Sequence, residues 1–281
     1  MNFKTYIIFS LLLAFLQGCS SGDDAQIQSI VDCDNCPEMV FIPAGEFMMG
    51  ARPYDKNAFD WEQKLHRVVI EDGFYMGKYE VTFQQYMACV NDGGCSYSPP
   101  SSYDICKKNP FCSAFNRTEE VNVNRLPVTG INLKDAMEYV AWLSQKTGKE
   151  YLIPTEEQWE YAARGNTETI YWWGDEIGEG NALCSGCSSK VDEDMPEHVG
   201  NYAPNHFGLY DVIGNAAELV MGCYNADLNL KPNPRIVSDC DLTAERGGSW
   251  WDSWEWASLS ARTIIKKTKR SEWNGFRVIR R

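Results

Sequence analysis

The chain has 281 residues, 44 % of them hydrophobic, and a net charge of −13. That length allows one large domain with a substantial core. Its acidity excludes nucleic acid as a partner, because neutralising phosphates requires a basic face.

The chain opens on an export signal. Lys4 supplies the positive start, and residues 6–15 form an apolar run too short to span a bilayer. Leu16, Gln17, Gly18 and Cys19 then have the form of a lipoprotein cleavage site, with the Cys19 thiol as the acceptor for diacylglycerol. Residues 1–18 are therefore expected to be removed as a signal peptide. Residues 19–32 are expected to form a lipid-anchored polar tether, and two or more acyl chains give durable anchoring. The domain proper is 33–281. Its expected place is the extracytoplasmic side of a bacterial cell envelope, on the outer membrane, with the membrane as a partner through the lipid.

Within the domain, residues 39–50 read as a strand, a tight turn at Pro43 to Gly45 and a second strand. Residues 67–70 and 74–76 read as two more strands around Asp72 and Gly73. Thr82 is placed to cap a helix over 83–90. Residues 91–127 form a loop-rich insert that disulfides would keep ordered. The clearest helix spans 133–146, capped by Asn132 and stopped by Gly148, with Leu133, Met137, Val140, Ala141 and Leu143 as its core face. Another follows Pro154. Thr155 and Gln158 form its capping box, Trp159, Ala162 and Ala163 point inward, and Gly165 ends it. Beyond Gly165 the periodicity dissolves, leaving short β-like runs such as 276–279. Ten tryptophans imply a core built from large aromatics. The fold class is α+β, poor in regular structure and stapled by sulfur.

There are 11 cysteines. With Cys19 assigned to lipid, an even set remains, which in an exported chain favours disulfides. Sequence proximity suggests Cys33 with Cys36, Cys89 with Cys95, Cys106 with Cys112, Cys184 with Cys187, and Cys223 with Cys240. Sequence leaves the connectivity open, and pairing among the middle four could cross. The two Cys-x-x-Cys pairs lie too far apart for a compact zinc ribbon, so disulfides are preferred to zinc. A thiol redox role is the thinner reading, since no βαβ pattern surrounds either pair.

Several segments in order carry a family resemblance. They are Met39 to Gly45; Tyr79 to Thr82; Trp159 to Gly165; Phe207, Gly208, Leu209, Tyr210 and Asp211; Gly214, Asn215, Ala216, Ala217 and Glu218; Arg246, Gly247, Gly248, Ser249 and Trp250; and Gly275, Phe276 and Arg277. Together the chain resembles the formylglycine-generating enzyme (sulfatase-modifying factor) family. The resemblance implies a C-type-lectin-like α+β fold. It also implies an enzyme that oxidises a cysteine of exported sulfatases with oxygen and copper held by two thiolates.

The match departs where the chemistry would be. No cysteine follows Cys240, and the expected thiol positions read Trp251 and Asp252, then Trp254 to Ala257. Asp252 is a hard oxygen donor, unsuited to cuprous copper. Ala217 and Leu219 stand where the family has cleft-lining tryptophans. A related branch uses histidine-bound iron, but the three histidines here have no ligand spacing, so neither copper nor iron is expected. The resemblance does imply calcium. Asp211 and Glu218 side chains with the Gly214 and Ala216 carbonyls match one calcium loop, and Asn181, the Ala182 carbonyl, Asp192 and Asp194 resemble a second. Against this stands a reading of them as turn and capping residues. Ser249, Trp251, Asp252, Trp254 and Arg262 are the candidate ligand groove. Exposed tryptophans there would suit peptide or sugar, whereas buried ones would be core. Arg262 would either place a carboxylate or pair with nearby acids. The expected function is a calcium-stabilised binding or scaffold module with a protein or glycan partner. The alternative is a formylglycine-generating oxidoreductase.

Overall fold

A computed structural model describes residues 29–62, 64–109, 112, 121–187, 194–224 and 240–281. Cys19, the signal peptide and all of the tether before residue 29 lie outside these, as does Asp192.

Two sheets and two longer helices organise the molecule. The first sheet has five strands in the order β1 (Ser29–Val31), β2 (Glu38–Ile42), β5 (Phe74–Gly77), β11 (Ile279–Arg280) and β6 (Tyr151–Leu152). The second has four: β10 (Asn274–Gly275), β7 (Ala217–Leu219), β8 (Leu242–Arg246) and β9 (Arg262–Lys266). β3 (Gly45–Met49) and β4 (His66–Ile70) form a separate pair. The strand pairs expected around Gly45 and Asp72 exist, but each splits between sheets: β2 and β5 pair with each other, and β3 with β4.

The helices start where capping chemistry places them. α1 (Phe83–Asn91), α3 (Leu133–Thr147) and α4 (Glu156–Arg164) each open on a reciprocal capping box, at Thr82, Asn132 and Thr155. Gly148 and Gly165 close α3 and α4 in the left-handed conformation. A short helix, α2 (Ser102–Cys106), sits in the loop-rich insert.

One expectation for α3 is corrected. Met137 is 46 % exposed and Ala141 faces solvent. Leu133, Val140 and Leu143 are buried as expected, joined by Asp135, Ala136, Tyr139 and Trp142. Tyr139 packs on Tyr86 and Phe276, and Trp142 on Tyr139, and large aromatics contribute more burial than Met or Ala.

All ten cysteines pair as sequence proximity suggests: 33–36, 89–95, 106–112, 184–187 and 223–240. Each bridge joins neighbours in sequence and ties down a loop locally.

Between α4 and the second sheet lies an ionic core. Glu160, 1 % exposed, accepts from Arg164 Nε at 2.9 Å, from the Gly50 amide at 2.9 Å and from Arg246. Glu156 accepts from Arg246 Nη1 at 3.1 Å and Arg262 Nη2 at 2.8 Å. Burial opposes ionisation of Glu160, yet Arg164 and Arg246 together hold its pKa below the ordinary value.

Two other buried acids lack such support. Among the described residues, Glu62 accepts a 3.4 Å hydrogen bond from Ser260, and burial pushes it up to about 7, with Arg246 opposing. On β8, Glu245 Oε1 accepts no hydrogen bond among the described residues, and burial pushes it up to about 8, with Asn274 opposing. Unfolded, both would ionise near 4.5. Between these values the folded state binds more protons than the unfolded one, so stability falls as pH rises. The denaturant midpoint is therefore expected to fall from pH 4.5 to about 8, and Glu245→Gln should flatten the upper part of that slope. An unchanged slope in the variant would show that Glu245 ionises normally.

Candidate functional site

β8 runs into Gly247 and Gly248, both at positive φ (85° and 69°). A Cβ on Gly247 would come within 2.9 Å of the Val212 carbonyl, and one on Gly248 within 2.8 Å of the Trp256 carbonyl. Only glycine permits this approach. The chain then turns sharply and presents residues 249–252. Ser249, fully buried, donates to Asp252 Oδ2 at 2.7 Å and accepts from the Trp251 amide at 3.3 Å. The Ser185 amide donates to the Asp252 carbonyl at 2.8 Å, docking the 184–187 loop against the turn. Burial raises the Asp252 pKa, with the Ser249 hydroxyl opposing. Trp250 is buried, whereas Trp251 is 62 % exposed.

Ser249, Trp251 and Asp252 thus share one turn. Trp254, half-buried in a short 3-10 turn, faces a different space, a cavity of about 350 Å3 that it shares with Tyr54, Asp55 and Tyr171. Trp256 packs on Phe59, ring centres 4.1 Å apart. Arg262 leaves the groove set. It is 2 % exposed, pairs with Glu156, and stacks over Tyr224 at 4.6 Å. The acid-pairing alternative therefore describes it. Ala217 and Leu219 lie buried on β7, with Leu219 opposite Glu245 of β8.

The loop from Asp211 to Glu218 holds a second buried charge cluster. Asp211 and Asn215 both adopt positive φ (54° and 60°). Asp211 Oδ2 accepts from the Gly200 amide at 2.6 Å. Glu80 accepts from Asn215 Nδ2 at 2.7 Å and the Ala216 amide at 2.8 Å. Both oxygens of Glu218 accept from Arg277 at 2.6 Å, and Oε2 also from Trp159 Nε1 at 2.7 Å. The Arg277 guanidinium thus bonds Glu218 and acts electrostatically on Glu80 and Asp211. Burial pushes Asp211 up to about 6 and Glu80 well above its usual range, the neighbouring acids adding to both. Gly214 packs so tightly that a Cβ would meet the Leu183 carbonyl at 2.2 Å.

In the second calcium set, Asn181 Nδ2 donates to the Ile177 carbonyl at 2.9 Å and Ala182 is buried. The Asp194 carbonyl meets Cys112 Sγ at 4.0 Å. Among the described residues, no three His, Cys, Asp or Glu side chains gather as metal ligands. Sequence reasoning missed both Glu80 and the cavity. Glu80 carried no spacing signal, since it lies 131 residues before Asp211. The cavity joins three separate segments.

Comparison with known proteins agrees with this arrangement. The profile of the family described as "Sulfatase-modifying factor enzyme 1-like domain" matches residues 27–281. The formylglycine-generating enzyme of Thermomonospora curvata is 26 % identical over 244 residues, covering 72 % of this chain and 76 % of that protein. The inactive C-alpha-formylglycine-generating enzyme 2 of Bos taurus is 32 % identical over 135 residues, covering 45 % and 39 %. Among solved structures, PvdO from Pseudomonas aeruginosa superposes with a TM-score of 0.76 at 29 % identity, covering 90 % of this chain and 97 % of that one. The fold is therefore that of a recognised family: the chain is a member of the sulfatase-modifying factor enzyme 1-like domain family.

Proposed function

We propose that the chain is a lipid-anchored, extracytoplasmic binding or scaffold module, stabilised by calcium, that engages a protein or glycan partner at the cell envelope and generates no formylglycine. One observation carries this reading: the turn after Ser249 holds no sulfur, and the ten cysteines beyond Cys19 are all paired. A soft cuprous ion needs thiolate donors. Asp252, a carboxylate already bonded to Ser249, does not fit that ion. The likeness to a formylglycine-generating enzyme over 72 % of the chain keeps an oxidoreductase as the alternative, and fold alone does not choose between them.

Calcium has its own support. Burying three carboxylates against one guanidinium leaves surplus negative charge, and a divalent cation would offset it. Glu218 is committed to Arg277, so Asp211 would be the main carboxylate donor, with the Gly214 and Ala216 carbonyls. Calcium completes its shell with carbonyl and water oxygens, so it does not require three acidic side chains. Bound there, it would fix an irregular loop.

Purified protein given cuprous copper, oxygen and a sulfatase-type cysteine peptide is expected to yield no aldehyde; mass-spectrometric detection of conversion would restore the oxidoreductase. Calcium at about 100 times its dissociation constant should add about 2.7 kcal/mol of stability, read as a rise in Tm that Asp211→Asn abolishes. A wild-type Tm indifferent to calcium and to EGTA would remove the ion. In cells fed a labelled fatty acid, the full chain should incorporate label and Cys19→Ala should not; an unlabelled wild type would end the anchoring proposal.

A further inference from the structure

Residues 54–57, 170–177 and 254–258, distant in sequence, enclose the cavity of about 350 Å3 that Trp254 faces. That volume is at the small end of ligand sites and holds one side chain or small molecule rather than a polymer. Its walls are aromatic and acidic. Tyr54 is 55 % exposed and Trp254 half-buried, so both can meet a ligand. Asp175, Glu176 and Glu255 stand around the space, and Lys56 is the one cation among the lining residues.

Asp55 is the most telling of these. It is 7 % exposed and lines the cavity, and its Oδ1 accepts from the Asn57 amide at 2.9 Å. No ammonium or guanidinium pairs with it among the described residues. Buried carboxylates ordinarily have a counter-charge. The Tyr171 hydroxyl registers the same field: burial first, then Asp55, Glu255 and Glu176, raise its pKa, so three carboxylates act on one point. Asp175 is held in place, since its Oδ1 accepts from the Tyr54 hydroxyl and the Ile170 amide, each at 3.1 Å.

We propose that this cavity binds an organic cation, a primary ammonium or guanidinium carried on an aliphatic stem. Its head would meet Asp55 and Glu255, and its stem would lie against Trp254 and Tyr54. Aromatic faces favour such a cation over a hydrated metal ion. The cation could be a lysyl or arginyl side chain of a peptide or a free amine. This inference rests on the binding-module reading and names the ligand chemistry for it. Aldehyde formation in the copper assay would remove that reading without touching amine binding.

The test is calorimetric titration of the purified full chain with cadaverine, with the α-acetyl amide of lysine, and with 1-pentanol as a neutral counterpart. Both amines are expected to bind, with affinity falling as salt rises, and pentanol about tenfold or more weaker. Glu176→Gln with Glu255→Gln alters the rim rather than the core, so Tm should hold while amine affinity drops about tenfold. Tighter binding of the lysine amide would assign a peptide-borne cation, and tighter binding of cadaverine a free amine. The proposal is overturned if neither amine binds, if pentanol binds equally, if the double variant keeps its affinity, or if calcium displaces the amine at equal concentration.

Discussion

Arg246 is the residue on which the rest of this structure turns. Its guanidinium is wholly buried and reaches Glu156 and Glu160, two acids one helical turn apart on α4. The second sheet and α4 are thereby fixed to each other at one point. Removing either partner would strand a charge in the core, at a cost of about 3–5 kcal/mol. Because the next residues are the two glycines, this anchor also sets the position from which the 249–252 turn departs. Trp159, on the same helix, donates to Glu218 and so links this network to Arg277. Two buried ion clusters are thus spanned by a nine-residue helix.

That arrangement explains what could and could not be read in advance. Helix starts were legible because capping is local chemistry: Thr82, Asn132 and Thr155 need only the next three residues. The near-neighbour cysteines were legible for the same reason. The four-stranded sheet was not. β7, β8 and β9 bury Glu218, Glu245, Arg246 and Arg262, so they show no apolar alternation. A strand that buries salt bridges looks, residue by residue, like a polar loop. In α3 the periodicity and three of the five expected core residues hold, but Met137 and Ala141 are exposed, because the aromatic partners Tyr86 and Phe276 are invisible in the helix's own sequence.

The site divides along the same line. Ser249 and Asp252 are close in sequence and do meet. Trp254, three residues past Trp251, opens a 3-10 turn and serves another space. Arg262 is fully committed to α4. Family resemblance carried the scaffold well because the residues that make the motif, Arg246, Gly247, Gly248 and Arg277, are those that hold elements together. It carries chemistry less well, because fold alone does not fix which reactive groups a frame holds.

The strand β11 lies in the middle of its sheet, flanked by β5 on one side and β6 on the other. Its partner Met76 is some 200 residues earlier. A chain is made from its N-terminus onward, so β2 and β5 emerge long before the strip that must slot beside them. Until β11 arrives, the facing edges of β5 and β6 are unpaired, while the β3 and β4 pair and the short-range disulfides need nothing from it. The placement of one two-residue strand therefore makes closure of this sheet a late, non-local step of assembly.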